Sequence, residues 1–275
     1  SIDSAAVGTG KAITLETLAL ADNSGLASNY LLSSGTFDVT VKNVTFVGSR
    51  VYDGTTSVNS SNISSTFTGL AGSETLTLSG SGSVASKNVA SGQSVTIGSI
   101  AIANGTGVAS NYSLTSATLD ITQRPISLSG TRVYDGATTA SSSDLTTFAN
   151  LVGSETLVLS NSGTVSNANV GTDKAVTIGS LSLGNGSNGG LSSNYTLSGG
   201  TYSASVTQKV LGFTGSRVYN ATTTASSSDL SLTGLVGSET LSLSGNGTLA
   251  SSAVGTGKTI TLNTLAISNN TGLAS

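Results

Sequence analysis

The chain repeats itself at long range, and no other feature constrains its fold as tightly. "SRVYDG" at 49–54 returns as "TRVYDG" at 131–136 and as "SRVYNA" at 216–221. Tyr52 and Tyr134 are 82 residues apart, and Tyr134 and Tyr219 are 85 apart. "GSETL" occurs at 72–76, 153–157 and 237–241. "VGTGKAITL" at 7–15 returns at 89–97, 170–178 and 254–262, and "SNY" closes each cycle at 28–30, 110–112 and 193–195.

A period of 82–85 residues exceeds the roughly 20–50 of a solenoid coil and suits a small independent domain. Spacing within the period agrees. Glu74–Val89, Glu155–Val170 and Glu239–Val254 are each 15 residues, whereas the segments between them vary and one carries the insertion "NGSNGG" (185–190). Constant lengths between variable ones indicate paired strands joined by tolerant loops. The repeat phase divides the chain into 1–42 (the later part of a repeat), 43–124 and 125–209 (full repeats) and 210–275 (the earlier part of a repeat). Val7 matches Val254 and Ser28 matches Ser275, so the expectation is a window on a longer array. An alternative is a subunit whose first strand completes the last repeat of a neighbour.

Composition narrows the chemistry. There is no Cys and no His among 275 residues, which removes disulfides, thiolate metal sites, imidazole bases and Ser-His triads. Ten basic against 13 acidic residues give no nucleic-acid footprint. No apolar run reaches the roughly 18 residues of a helical membrane span. Charged residues are 8% of the chain and aromatics 4%, so thin aliphatic cores under a neutral, hydroxyl-rich surface are expected.

Alternation by two marks the strands. In "TFDVTVK" (36–42), Phe37, Val39 and Val41 share one face. In "ETLTLSG" (74–80), Leu76 and Leu78 share one. In all four Val-Gly-Thr segments the apolar face flips at one point: Ile13 and Leu15 are followed by Leu18 and Leu20, and Val95 and Ile97 by Ile100 and Ile102. Such a slip needs a bulge, a tight turn or a corner between sheets. The fold class expected is all-β, a tandem array of small β-sandwich, immunoglobulin-like domains. β-grasp-like beads or a continuous β-solenoid are the alternatives. Joints such as "DITQRPISLSG" (120–130) contain no flexible linker, which predicts a semi-rigid rod.

"RVYDGTT", the Gly-x-Glu-x-Leu strand, "VGTGK" with its alternating strand, and "NY" before a closing strand together resemble the YDG repeats of large secreted bacterial adhesins, the filamentous-haemagglutinin-like surface proteins. The resemblance spans essentially the whole chain. It departs at Asn220-Ala221, which replaces Asp-Gly, and at Gln93, which stands where other copies carry Lys11, Lys174 and Lys258. It implies an extracellular stalk or fibre of the bacterial surface or biofilm, and no catalytic residues.

Several residues invite a chemical reading. Gly257-Lys258-Thr259 ends like a phosphate loop, but position 252 is Ser and a strand follows, so neither the first glycine nor the helix is there. Asp53 and Asp135 are weak calcium candidates; the competing reading is an Asp-Gly turn. Arg50, Arg132 and Arg217 recur with Glu74, Glu155 and Glu239, which suggests an Arg–Glu pair within each repeat. Tyr52, Tyr134 and Tyr219, with Tyr30, Tyr112 and Tyr195, read as the large anchors of a thin core. Gln93 speaks against a recurring Lys–Asn isopeptide bond. Asn-x-Ser/Thr sequons at Asn43, Asn62, Asn111, Asn194, Asn220 and Asn246 are frequent in a chain of this composition.

The expectation for function is a non-enzymatic, extracellular structural region. Its partners are the neighbouring repeats and other copies in a fibre, with cell-surface glycans contacted through other regions. It has no nucleic-acid partner, no membrane span and no cofactor. The alternative is a ligand-binding module for glycans or other surfaces.

Overall fold

In a computed structural model, residues 1–269 are described; the matching of Ser275 to Ser28 lies outside them. The chain is all-β, with sheets curled into half-barrels. Its contacts divide it into two units, residues 1–124 with 193–195, and residues 125–192 with 196–275.

In the first unit, β1 (Gly8–Ala12) pairs antiparallel with β2 (Thr36–Val39) as a separate ribbon. A full repeat follows, made of β3 (Lys42–Val51), β4 (Ser57–Asn59), β5 (Ser64–Thr68), β6 (Leu76–Ser79), β7 (Ser81–Val84), β8 (Ala90–Thr96), β9 (Ala101–Asn104) and β10 (Tyr112–Thr122). Six strands form one sheet in the order β4-β7-β8-β10-β3-β5, and β6 and β9 form a second, two-stranded layer. The repeat's first and last strands, β3 and β10, lie side by side and parallel, with Phe46 opposite Ala117 and Gly48 opposite Leu119. An immunoglobulin-like sandwich is built of antiparallel sheets, so this arrangement departs from it at its centre. Val44, Phe46, Val58, Val84, Leu119 and Ile121 fill the concave side, and Phe67 meets Phe46 edge-on at 6.2 Å.

The face flip is a corner between the two layers. β8 lies in the six-stranded sheet and β9 in the ribbon. Between them the Ile100 amide donates to the Ile97 carbonyl at 2.8 Å, and Gly98 has φ +57°. The other copies repeat the turn. Leu18, Leu181 and Leu265 donate to Leu15, Ile178 and Leu262, with Glu16, Gly179 and Asn263 at positive φ. The left-handed residue closes the turn and re-aims the strand by one position, which exchanges inward and outward faces.

The second unit contains another full repeat with the same order. Thr139–Ser141, Ser162–Val165, Gly171–Thr177, Tyr202–Thr207, Ser127–Val133 and Thr147–Ala149 form its sheet, and Leu157–Ser160 pairs with Ser182–Asn185. The third copy is split. Gly212–Gly215 pairs only with Leu230–Thr233, while Thr224–Ser226, Asn246–Leu249 and Ile260–Thr261 form a separate sheet. Among the described residues, no strand occupies the central place that β10 fills in the first full repeat.

Candidate functional site: the joint between repeats

The YDG turn is built around a buried arginine. Arg50 alternates into the core side of β3, and its side chain folds back over the turn that follows. Its guanidinium donates to Asp53 at 3.0 Å, to the Thr55 hydroxyl at 3.2 Å, and to the carbonyls of Ser57 and Thr55 at 2.5 and 2.6 Å. Arg132 donates to Asp135 and to the Ala137 carbonyl in the same way. The expected Arg–Glu pair is therefore replaced by an Arg–Asp pair three residues apart. The turn returns the chain so tightly that the nearer carboxylate meets the guanidinium first.

Asp53 has a second task. Its carboxylate accepts from the Thr55 amide and hydroxyl, each at 3.0 Å, which is an Asx-turn. Asp135 accepts from the Ala137 amide at 2.9 Å. That bond, reinforced by Arg132, holds the Asp135 carboxyl below its ordinary range despite a desolvation that acts the other way. Asn220 makes the same turn without charge, accepting from the Thr222 amide at 3.1 Å and hydroxyl at 2.9 Å. Both calcium candidates are thus engaged within their turns. Among the described residues, no three His, Cys, Asp or Glu side chains gather as a metal-binding set.

Two glutamates of "GSETL", Glu74 and Glu239, meet tyrosines. The Tyr112 hydroxyl donates to Glu74 and accepts from the Ala71 amide at 3.1 Å. Tyr134, of the second full repeat, donates to Glu239 of the third. In both cases the bond to the carboxylate raises the phenol above its ordinary pKa.

The tyrosines expected as anchors differ in burial, and Tyr134 is half-buried. Tyr52, Tyr112 and Tyr195 are buried core anchors, as expected. Tyr30 and Tyr219 are not, being 71% and 60% exposed. Tyr52 of one repeat is sealed by Tyr195 of the next, ring centroids 5.5 Å apart and planes at 80°.

Beside that aromatic pair lies the contact the sequence reading missed. The Val89 amide donates to Asn194 Oδ1 at 2.9 Å, and the Asn194 side-chain amide donates to Asn88 Oδ1 at 3.0 Å. One repeat earlier, the Val7 amide donates to Asn111 Oδ1 at 3.0 Å. The Asn of "SNY" therefore grips the Val-Gly-Thr loop of the preceding repeat at both places. The recurrence of Asn in every "SNY" was the available signal. Asn194 is fully buried, so this sequon is closed to a glycan in the fold.

The "GKT" lysine also has a role within that loop. Lys174 Nζ donates to Asn167 Oδ1 at 2.6 Å and to the Asn169 carbonyl. Gln93 donates to the Asn88 carbonyl at 2.9 Å, five residues back, as Lys174 does to Asn169. The position needs a long donor, not a positive charge, and a glutamine suffices.

Among the described residues, no helix is long and apolar enough to cross a membrane. No curated protein and no solved structure matches this chain. The YDG domain model matches three consecutive segments, residues 38–119, 120–206 and 202–273, which run from strand to strand through the joints just described. By these matches the chain belongs to the YDG domain family.

Proposed function

We propose that the chain is a load-bearing stalk or fibre region of a secreted bacterial surface adhesin, a tandem array of small β domains outside the cell. It carries no catalytic role in this reading. The observation that supports it best is the repeated joint: Asn111 on Val7 and Asn194 on Val89 make the same bond. A linker that let domains tumble would not reproduce one part-buried polar contact at successive joints. Stability without cysteine rests on ladder bonds and aliphatic packing, so it is indifferent to redox conditions. The neutral, hydroxyl-rich surface suits a fibre exposed to changing pH and salt.

The extracellular part is tested on the source cells. Antibody against this chain should label intact cells, and brief external protease should remove the signal. Labelling only after permeabilisation would refute it.

A further inference from the structure

In each full repeat the chain enters on one strand of a parallel pair and leaves on the other. The register of β3 and β10 runs from Lys42 opposite Tyr112 to Val51 opposite Thr122, with one bulge between Leu114 and Ser116. In the second full repeat it runs from Leu128 opposite Tyr202 to Val133 opposite Thr207. Both pairs lie in the interior of their sheets. β5 flanks β3 and β8 flanks β10, and Thr147–Ala149 and Gly171–Thr177 hold the same places in the second full repeat. On the buried side Val44, Phe46, Leu119 and Ile121 cover the first of these ladders.

This pairing decides how tension reaches the bonds. The preceding segment joins β3 at Lys42, and β10 passes on to the next repeat after Thr122. Because the strands are parallel, these two points lie at opposite ends of one ladder, about 30 Å apart at the rise of a parallel strand. A pull between them runs along the strands and strains the ladder bonds together. In an antiparallel hairpin, entry and exit share one end, and the same pull opens the bonds one after another.

The exit end carries extra fastening in both copies. The Tyr52 amide donates to the Thr122 carbonyl at 2.9 Å, and the Thr122 hydroxyl donates to the Arg50 carbonyl at 3.2 Å. In the second full repeat the Tyr134 amide donates to the Thr207 carbonyl at 2.9 Å, and the Thr207 hydroxyl to the Arg132 carbonyl at 3.2 Å. Arg50 and Arg132 are themselves held in the turn that follows by Asp53 and Asp135. The Arg-Val-Tyr-Asp segment thus ties the last residue of the closing strand to the turn after the opening strand. At the entry end the Thr115 hydroxyl donates to the Val44 carbonyl at 3.3 Å, at the bulge. We infer that the parallel pair is the mechanical clamp of each full repeat, loaded in shear by tension along the chain. The inference rests on the load-bearing reading for its use, and on strand geometry for its strength.

The test is to pull the same ladder in two directions within the chain of residues 1–275. The chain has no cysteine, so two introduced thiols give two defined handles. Asn43→Cys with Gln123→Cys places them at opposite ends of the β3–β10 ladder and loads it in shear. Val51→Cys with Gln123→Cys places them at one end and peels it. Ser49→Cys with Gln123→Cys is a second peeling pair. All four positions are exposed, and the Thr122 hydroxyl is kept in every variant. At one pulling speed, the rupture force along the ladder should be at least about twofold that of either peeling pair. Equal forces in the two directions, or a higher force on peeling, would overturn the inference. Either result would leave cell-surface labelling untouched, so the clamp and the surface-stalk reading fail separately.

Discussion

Asn194 accepts the backbone amide of Val89 at 2.9 Å, although the two residues are 105 positions apart and belong to successive repeats. The bond is fully buried at the asparagine. Removing the acceptor leaves the amide of half-buried Val89 without this partner. Such a loss costs about 1–3 kcal/mol. Asn194→Ala should therefore lower the unfolding free energy by that amount in urea denaturation, and Asn111→Ala should weaken the Val7 joint in the same sense. A change within error for both would remove the joint from the energetics.

Ala221 occupies the position of Gly54 and Gly136, and all three have positive φ, at 60°, 78° and 78°. Only in Ala221 does a Cβ oppose that conformation, at a cost of about 1 kcal/mol. Ala221→Gly should stabilise the third repeat by up to this amount, offset in part by the freer unfolded chain. Gly54→Ala should do the reverse. Thermal melts of the two variants give the comparison.

Asp53 and Asn220 build the same turn with and without charge. Asp53→Asn should thus be mild, below about 1 kcal/mol, because the pair with Arg50 is partly exposed on the aspartate side. Asp53→Ala should cost more, since it also removes the acceptor for the Thr55 amide. Equilibrium unfolding of the two variants separates charge from turn geometry. Calcium is expected to leave the melting temperature where a chelator leaves it.

The tyrosine–glutamate bonds give the alkaline side of the stability profile. The folded phenols of Tyr112 and Tyr134 titrate above their ordinary value of about 10, because each donates to a carboxylate. A group whose folded pKa is raised gives stability that is complete below the unfolded value and is lost as pH climbs through the folded one. Melting temperature should therefore hold up to about pH 10 and fall above it. The ultraviolet titration of phenolate should show late-ionising tyrosines, and Tyr112→Phe should remove one of them. Asp135 works in the opposite direction. Its folded pKa is depressed, so its contribution is present above the ordinary aspartate range and is lost as pH falls below it.

Much of the strand content was legible in the sequence, because Leu76 and Val95 sit on the buried side that their alternation assigns. The corner was legible too: Ile97 and Ile100 have mismatched parity, and only a turn between layers reconciles them. Sheet order was not. Alternation fixes the face of β3 and β10 but carries nothing about their neighbour, so the parallel pairing of Lys42–Val51 with Tyr112–Thr122 stayed hidden. The joint was hidden for a different reason. The recurring Asn of "SNY" marks one side of the contact, but its partner is the backbone amide of Val89, which leaves no mark in the sequence. Arg50 was assigned the wrong carboxylate because recurrence alone cannot rank Glu74 above Asp53, three residues away.

The central claim is that the repeats are discrete load-bearing elements in series. Force spectroscopy on the chain held at residues 1 and 275 tests it most directly. Each full repeat spans 82–85 residues, which on full extension releases about 270–300 Å. Two force peaks separated by that length are expected, one for each full repeat. A single event releasing the whole chain, or extension without discrete peaks, would contradict the account.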